Sequence, residues 1–458
     1  MDSAKGIPFN DQVDILGQQS LAKVNSPLLL CFPVTDDFCA AVLDVLKDGL
    51  ARLSLHFPWM AGQLVNEGSR PGHSGTFKIA PLEDTPRLVI KDLRHDPSLA
   101  FDALQKAKFP ASMLDEMVLA PCRTLPESAS ETSPVLLLQA NLVSGGLLLT
   151  IAGQHNAMDM IAQGHVMHLL SKACHKEAFT REELRIGNLA RHGIIPLLDS
   201  YEPGPELTFQ IGPSQGSQGS SDCIVRPSPA VPGGYSWAVF TFSTSSLARL
   251  KGLAATTRTT TAYISTDDAL TALLWQSILR ARSSRLASTQ QAVNLCRAVD
   301  VRSYLHIPQT YLGFMQVGTY HTFPLDQLLA EPLGGVASQL RSAIEPPTQI
   351  VHNTRAYATV LDRSADKSCF SFLIGLDLTA DLLITSWAKL DSYALDFGIG
   401  LGTPRAVRRP RFPPVEGLVF LLPKSGDGGV AVQLCLRSDD MDRLKFDESF
   451  VDFAAYIG

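Results

Sequence analysis

Apolar residues run almost unbroken through VLLLQANLVSGGLLLTIAG, residues 135–153, interrupted by Gln139, Asn141 and a central Ser-Gly-Gly. The length approaches a bilayer span, but the two amides and the glycine pair predict two strands joined by a tight turn instead. From Asp159 the period changes: Ala162, Val166, Leu169, Leu170 and Ala173 recur at helical spacing. Asp159 stands where an N-cap would, able to accept the orphan amides of the first turn. In the second half SWAVFTF (236–242) alternates as a strand. A helix is expected from Ser265, capped by Thr266, with Asp267 and Asp268 in its first turn. Its one apolar face would hold Leu270, Leu273, Leu274, Ser277, Ile278 and Ala281. Further strands are expected at 313–323, 370–378, 382–388, 417–422 and 430–436, so the chain reads as α/β.

The segment PSQGSQGSSDCIVRPSPAVPGG (213–234) is rich in Ser, Gly, Gln and Pro and poor in packing residues. It predicts a division into 1–210, a crossover at 211–234, and 235–458. A chain of 458 residues exceeds the ~250–300 at which one core usually stops growing, which favours two domains.

Composition narrows the function. Hydrophobic residues make up 45% and charged ones 18%, enough apolar content for large cores and a buried pocket. Net charge is −6 and basic residues are scattered apart from Arg405, Arg408, Arg409 and Arg411, so a nucleic-acid partner is not expected. The eight cysteines form no CxxC, which fits reduced thiols in a cytoplasmic protein better than a disulfide framework or zinc site. The first residues, MDSAKGIPFNDQ, lack the charged and apolar regions of a secretory signal, and no membrane association is expected.

The stretch IAGQHNAMDM (151–160) puts His155 at the junction of strand and helix, where an imidazole can serve as a general base. The His-x-x-x-Asp spacing alone leaves open a catalytic base and an incidental pair. There is no GxSxG elbow, so a serine-hydrolase reading fails. HNAMD also lacks the second His and the Glu of a zincin, and no metal is expected. DFGIGLG (396–402) has no accompanying kinase loops. It reads as a tight glycine-rich turn whose Asp396 is buried against a cation.

HNAMD followed far downstream by DFGIG resembles the HxxxD and DFGWG pair of the BAHD acyltransferases, which use coenzyme A. STDDALTALLW, CRAVDVR (296–302), YLGF (311–314) and TSW (385–387) agree, as do LLSKAC, VRRP and DMDRLK. Within that superfamily the chain looks most like the fungal trichothecene 3-O-acetyltransferases. It departs at Ile399, where the wider family has tryptophan, a packing position.

The resemblance implies two chloramphenicol acetyltransferase-like domains, each a mixed sheet flanked by helices, facing across a tunnel. His155 would take a proton from an acceptor alcohol as it attacks acetyl-CoA in one ternary complex. Trp387 matches the family tryptophan near the developing oxyanion, and Thr385, at the alternate strand position, would face the same tunnel. Asp159 would support the site by pairing with Arg302 or Arg297. Asp396 belongs to the family's site motif, in a structural part remote from the tunnel. Ser265 and Thr266 are expected at coenzyme A, with Lys251, Arg408 and Arg409 as alternatives for its phosphates. Gln154, where carrier-protein-dependent relatives prefer a second histidine, favours coenzyme A as donor. The expected partners are acetyl-CoA and a small-molecule alcohol, with the protein a monomer.

Overall fold

The structure is a computed structural model and describes residues 11–19, 22–34, 39–82, 87–128, 131–212 and 226–458. Among the described residues the strands form three sheets.

The apolar run of 135–153 is the hairpin expected: Leu136–Val143 and Gly146–Gln154 pair antiparallel and are buried throughout. Both faces are covered, which explains an apolar run without alternation. The chain reverses at Ser144-Gly145, where Gly145 takes φ +74°, a left-handed conformation that favours glycine. This hairpin forms the middle of a five-stranded sheet, ordered Ala406–Arg408, Asn25–Pro33, Gly146–Gln154, Leu136–Val143, Leu88–Asp92. The helices Cys39–His56 and Met160–Cys174 pack on each other beside it.

The second half builds a seven-stranded sheet, ordered Gln316–Pro324, Ala292–Asp300, Leu382–Ser386, Leu418–Leu421, Val430–Arg437, Tyr235–Phe242, Ala455–Tyr456. Its central strands Ala292–Asp300, Leu382–Ser386 and Leu418–Leu421 run parallel and its flanks antiparallel. The remaining sheet is a small antiparallel one of Asp11–Gln12, Thr76–Pro81, Gly62–Glu67 and Ser133–Pro134.

Three local expectations change. Residues 370–378 form turns with one isolated bridge, Phe370 to Ile211, because Ser371 and the Gly375 and Asp377 turns interrupt any ladder. The helix Thr266–Arg282 is buried on all sides from Asp268 to Leu279, being clasped between the large sheet and the helices Thr244–Thr256 and Leu333–Ser342. Its cap is Ser265: the hydroxyl accepts from the Asp268 amide (3.1 Å) and the Asp268 carboxylate accepts from the Ser265 amide (2.8 Å). Thr266 is the first helical residue.

Of the expected crossover, 213–225 lies outside the described residues, and 226–234 runs without regular structure into Tyr235. One segment of the second half joins the first: Ala406–Arg408 pairs with Leu29–Cys31 at the edge of the five-stranded sheet.

Candidate active site

His155 follows directly on the last strand residue, Gln154, and begins the turn into the helix Met160–Cys174. The turn is fixed by backbone and amide bonds. The His155 amide donates to the Val24 carbonyl (2.9 Å), and the Asn156 side chain donates to the Gly17 and Gln19 carbonyls (2.5 and 2.8 Å). The His155 Nδ1 lies 3.2 Å from the Met158 carbonyl, and the ring packs edge-on to Phe314 at 5.0 Å. A carbonyl can only accept, so Nδ1 carries the hydrogen and, in the neutral ring, Nε2 holds the lone pair. Burial lowers the imidazole's proton affinity below its ordinary value. The Asp159 charge and the Met158 carbonyl oppose that shift, and the Arg409 charge adds to it.

Asp159 is the N-cap expected, accepting from the Ala162 amide at 2.9 Å. The same carboxylate takes a two-pronged bond from Arg302 (2.9 and 3.1 Å) and the Met315 amide (2.7 Å). Among the described residues it makes no hydrogen bond to His155. Arg302 is fully buried and also donates to Asp300 and the Tyr311 and Gly313 carbonyls. Arg297 is engaged elsewhere: it lies between Asp267 (2.5 Å) and Asp268 (2.8 Å) at the start of the helix Thr266–Arg282.

A cavity of about 830 Å³ opens between the two halves. Asp159, Met160 and His165 of the first half and Lys251, Ser265, Thr266, Arg297, Thr385 and Trp387 of the second line it. His155 is not in that lining; the wall next to it in the chain is formed by Asp159 and Met160. Thr385 and Trp387 do share the cavity, as alternation predicts. The indole N–H groups of Trp59 and Trp237 donate to the Gly187 and Phe412 carbonyls, whereas no acceptor among the described residues takes that of Trp387. Asp267 and Asp268, in the first turn after Ser265, are charge-compensated by Arg297 and Arg341. Lys389 and Lys424, which the sequence did not single out, line the cavity with Lys251.

Besides His155 and Arg302, three expected site residues lie outside the cavity. Arg408 is buried, donating to the Lys108, Phe109 and Val407 carbonyls. Arg409 is buried against aromatic rings. Asp396 is not buried against a cation: its side chain is 45% exposed and 3.9 Å from His175. The glycine-rich turn itself is present, with Gly398 at φ +64°.

A second brace of the histidine turn escaped the sequence. Asp14, fully buried, accepts from Tyr311 Oη (2.5 Å) and the Phe314 amide (2.9 Å) and sits 3.3 Å from Arg191, which also donates to the Ala157 carbonyl. Nothing in DQVDILGQQ marks Asp14, because its partners lie up to 300 residues away.

Two α/β lobes with a cavity between them define a fold class shared with vinorine synthase, which matches with a TM-score of 0.66 at 15% identity over 99% of this chain and 95% of that one. The chain belongs to the Transferase family, whose model matches residues 117–451, and residues 24–174 match the trichothecene 3-O-acetyltransferase-like N-terminal domain. It is 48% identical to the O-acetyltransferase dmxR13 of Cryptosporiopsis sp., over 100% of both chains. It is 43% identical to the trichothecene 3-O-acetyltransferase TRI101 of Fusarium sporotrichioides, over 98% of each. The crystal structure of F. graminearum TRI101 complexed with coenzyme A and deoxynivalenol matches with a TM-score of 0.92 at 40% identity, covering 98% of this chain and 100% of that one.

Proposed function

We propose that the protein is a coenzyme A-dependent O-acetyltransferase that moves acetyl from acetyl-CoA to a secondary hydroxyl of a fungal secondary metabolite, the C-3 hydroxyl of a trichothecene-like sesquiterpenoid. The observation that carries this is the imidazole of His155, its Nδ1 held by the Met158 carbonyl so that Nε2 is left as the nitrogen free to act as base, close in the chain to the Asp159 and Met160 wall of a cavity shared by both halves. His155 Nε2 takes the alcohol proton as the oxygen attacks the thioester carbonyl. The tetrahedral intermediate collapses, the C–S bond breaks, and the imidazolium returns its proton to the leaving thiolate. Trp387 donates to the oxyanion, with Thr385 beside it. Asp159 and Arg302 hold the loop. Ser265, Thr266 and Lys251 line the donor end, with Lys389 and Lys424 adding charge for the phosphates.

The 48% identity to a relative named only as an O-acetyltransferase supports a second reading, an acceptor other than a trichothecene. Incubation with acetyl-CoA and a panel of trichothecene and other alcohols, reading free thiol and acetyl ester, separates the two. Thiol release in step with ester on any of them supports the activity; none on any alcohol sinks it.

The reading takes the protein as a monomer in the cytoplasm; the free thiols of Cys31, Cys122, Cys174, Cys296 and Cys435 fit a reducing compartment. Among the described residues no helix is long and apolar enough to cross a membrane.

A further inference from the structure

Arg409 is 3% exposed, and its surroundings are mostly rings. Its Cζ lies 4.7 Å from the ring centroids of Phe412 and Phe420 and 5.5 Å from that of Trp387. Trp387 and Phe420 pack at 5.0 Å, and Trp237 closes the group against Phe412 at 4.7 Å. The polar contacts come from the other lobe: Arg409 donates to Thr124 Oγ1 (3.1 Å) and reaches the Pro27 carbonyl (3.5 Å), while its Nε is buried without a partner. Glu116, Cys122 and His155 are titratable groups facing it, and among the described residues no salt bridge joins it to Glu116. Burial pushes the guanidinium down to about 10.

A buried charge so thinly compensated is costly, and an apolar side chain would fill the volume at less cost. A cation over the face of an indole is attracted to that face and leaves the N–H edge free. Arg409 reaches Trp387 from the segment that joins the first sheet and binds Pro27 and Thr124, so it ties the indole to the lobe that carries His155.

We propose that Arg409 is a positioning residue for acyl transfer, its guanidinium holding the Trp387 ring so that the indole N–H meets the developing oxyanion. The proposal rests on the reading of Trp387 as that donor. Arg409 also contributes a cation near His155, whose other charged neighbour is Asp159.

The test compares Arg409→Met, Arg409→Lys, Trp387→Phe and the Met/Phe double variant by kcat, KM for acetyl-CoA and the pH profile, on the folded fraction measured by circular dichroism. Trp387→Phe is expected to lower kcat roughly 10²-fold, as loss of one oxyanion donor does. Arg409→Met should lower kcat about tenfold while KM stays within about twofold, and the double variant should be no slower than Trp387→Phe alone. Its acid limb should move to higher pH, because removing a nearby cation raises the proton affinity of His155. Arg409→Lys, which keeps the charge but loses the planar face, should restore the limb and not kcat, and it carries the same comparison if the Met variant does not fold. Multiplying losses in the double variant, or an unmoved limb, would overturn the proposal while leaving Trp387 its role. Normal turnover by Trp387→Phe would overturn that role and the proposal with it.

Discussion

The two motif turns, HNAMD and DFGIGLG, are held in different ways. The first is tied by polar bonds from several directions: Val24 to the His155 amide, Gln19 and Gly17 to Asn156, Arg191 to the Ala157 carbonyl, Arg302 and the Met315 amide to Asp159. The second is anchored chiefly by apolar burial, with Phe397 and Ile399 in the core of the first lobe; its polar ties are fewer, Ser171 Oγ donating to the Asp396 carbonyl (2.5 Å) and the Asp396 carboxylate accepting from the Gly398 amide (2.9 Å) while facing half-exposed toward His175. Directional bonds fix where an imidazole nitrogen points; burial fixes only where a segment sits. On the proposed mechanism, chemistry belongs at the first turn and architecture at the second.

That contrast is open to mutation. His155→Ala should lower kcat by about 10²–10⁴-fold with the unfolding midpoint little changed, since on the proposed mechanism the lost group is a base rather than a brace. Arg302→Met, by contrast, leaves the Asp159 carboxylate buried and unpaired and should cost about 3–5 kcal/mol in denaturant unfolding. Retained stability there would break the polar half of the comparison.

The pH profile probes the same turn. Burial lowers the His155 proton affinity in the folded protein, so the neutral base persists below the ordinary histidine value of about 6.5. The acid limb of kcat/KM should therefore fall below that pH. By linkage, the folded state loses stability relative to the unfolded chain as pH falls through the unfolded value, because the unfolded chain then binds the proton first. An acid limb above about 6.5 would contradict the buried geometry.

At the second turn the effects shrink. Gly398→Ala puts a side chain at φ +64°, with its Cβ 3.2 Å from the His175 ring, and should cost about 1–2 kcal/mol. Asp396→Ala removes the half-exposed contact to His175 and an exposed bond from the Gly398 amide and should cost about 1 kcal/mol, with kcat unchanged. A large loss of kcat in this variant would give the DFG turn a catalytic part and break the comparison.

Legibility followed the range of the interactions. The hairpin, the helix from Asp159 and its cap, and the alternation of Thr385 and Trp387 depend on neighbours a few residues apart, and the sequence displays them. The choice between Arg302 and Arg297 as partner of Asp159 did not, because it depends on how two halves dock. Arg408 and Arg409 looked like phosphate ligands for the same reason: a run of arginines reads as a charged surface until packing buries it.

The sequence by itself determined the α/β class, the family and the histidine turn, because apolar period, cap chemistry and motif residues are local properties of a chain. Tertiary structure alone decided what braces that turn. Asp14 meets Tyr311 and Phe314, Arg302 meets Asp159, and Arg409 meets Trp387 only once the lobes close. A buried charge finds its partner by the position of whole elements, and no spacing along the chain encodes that distance.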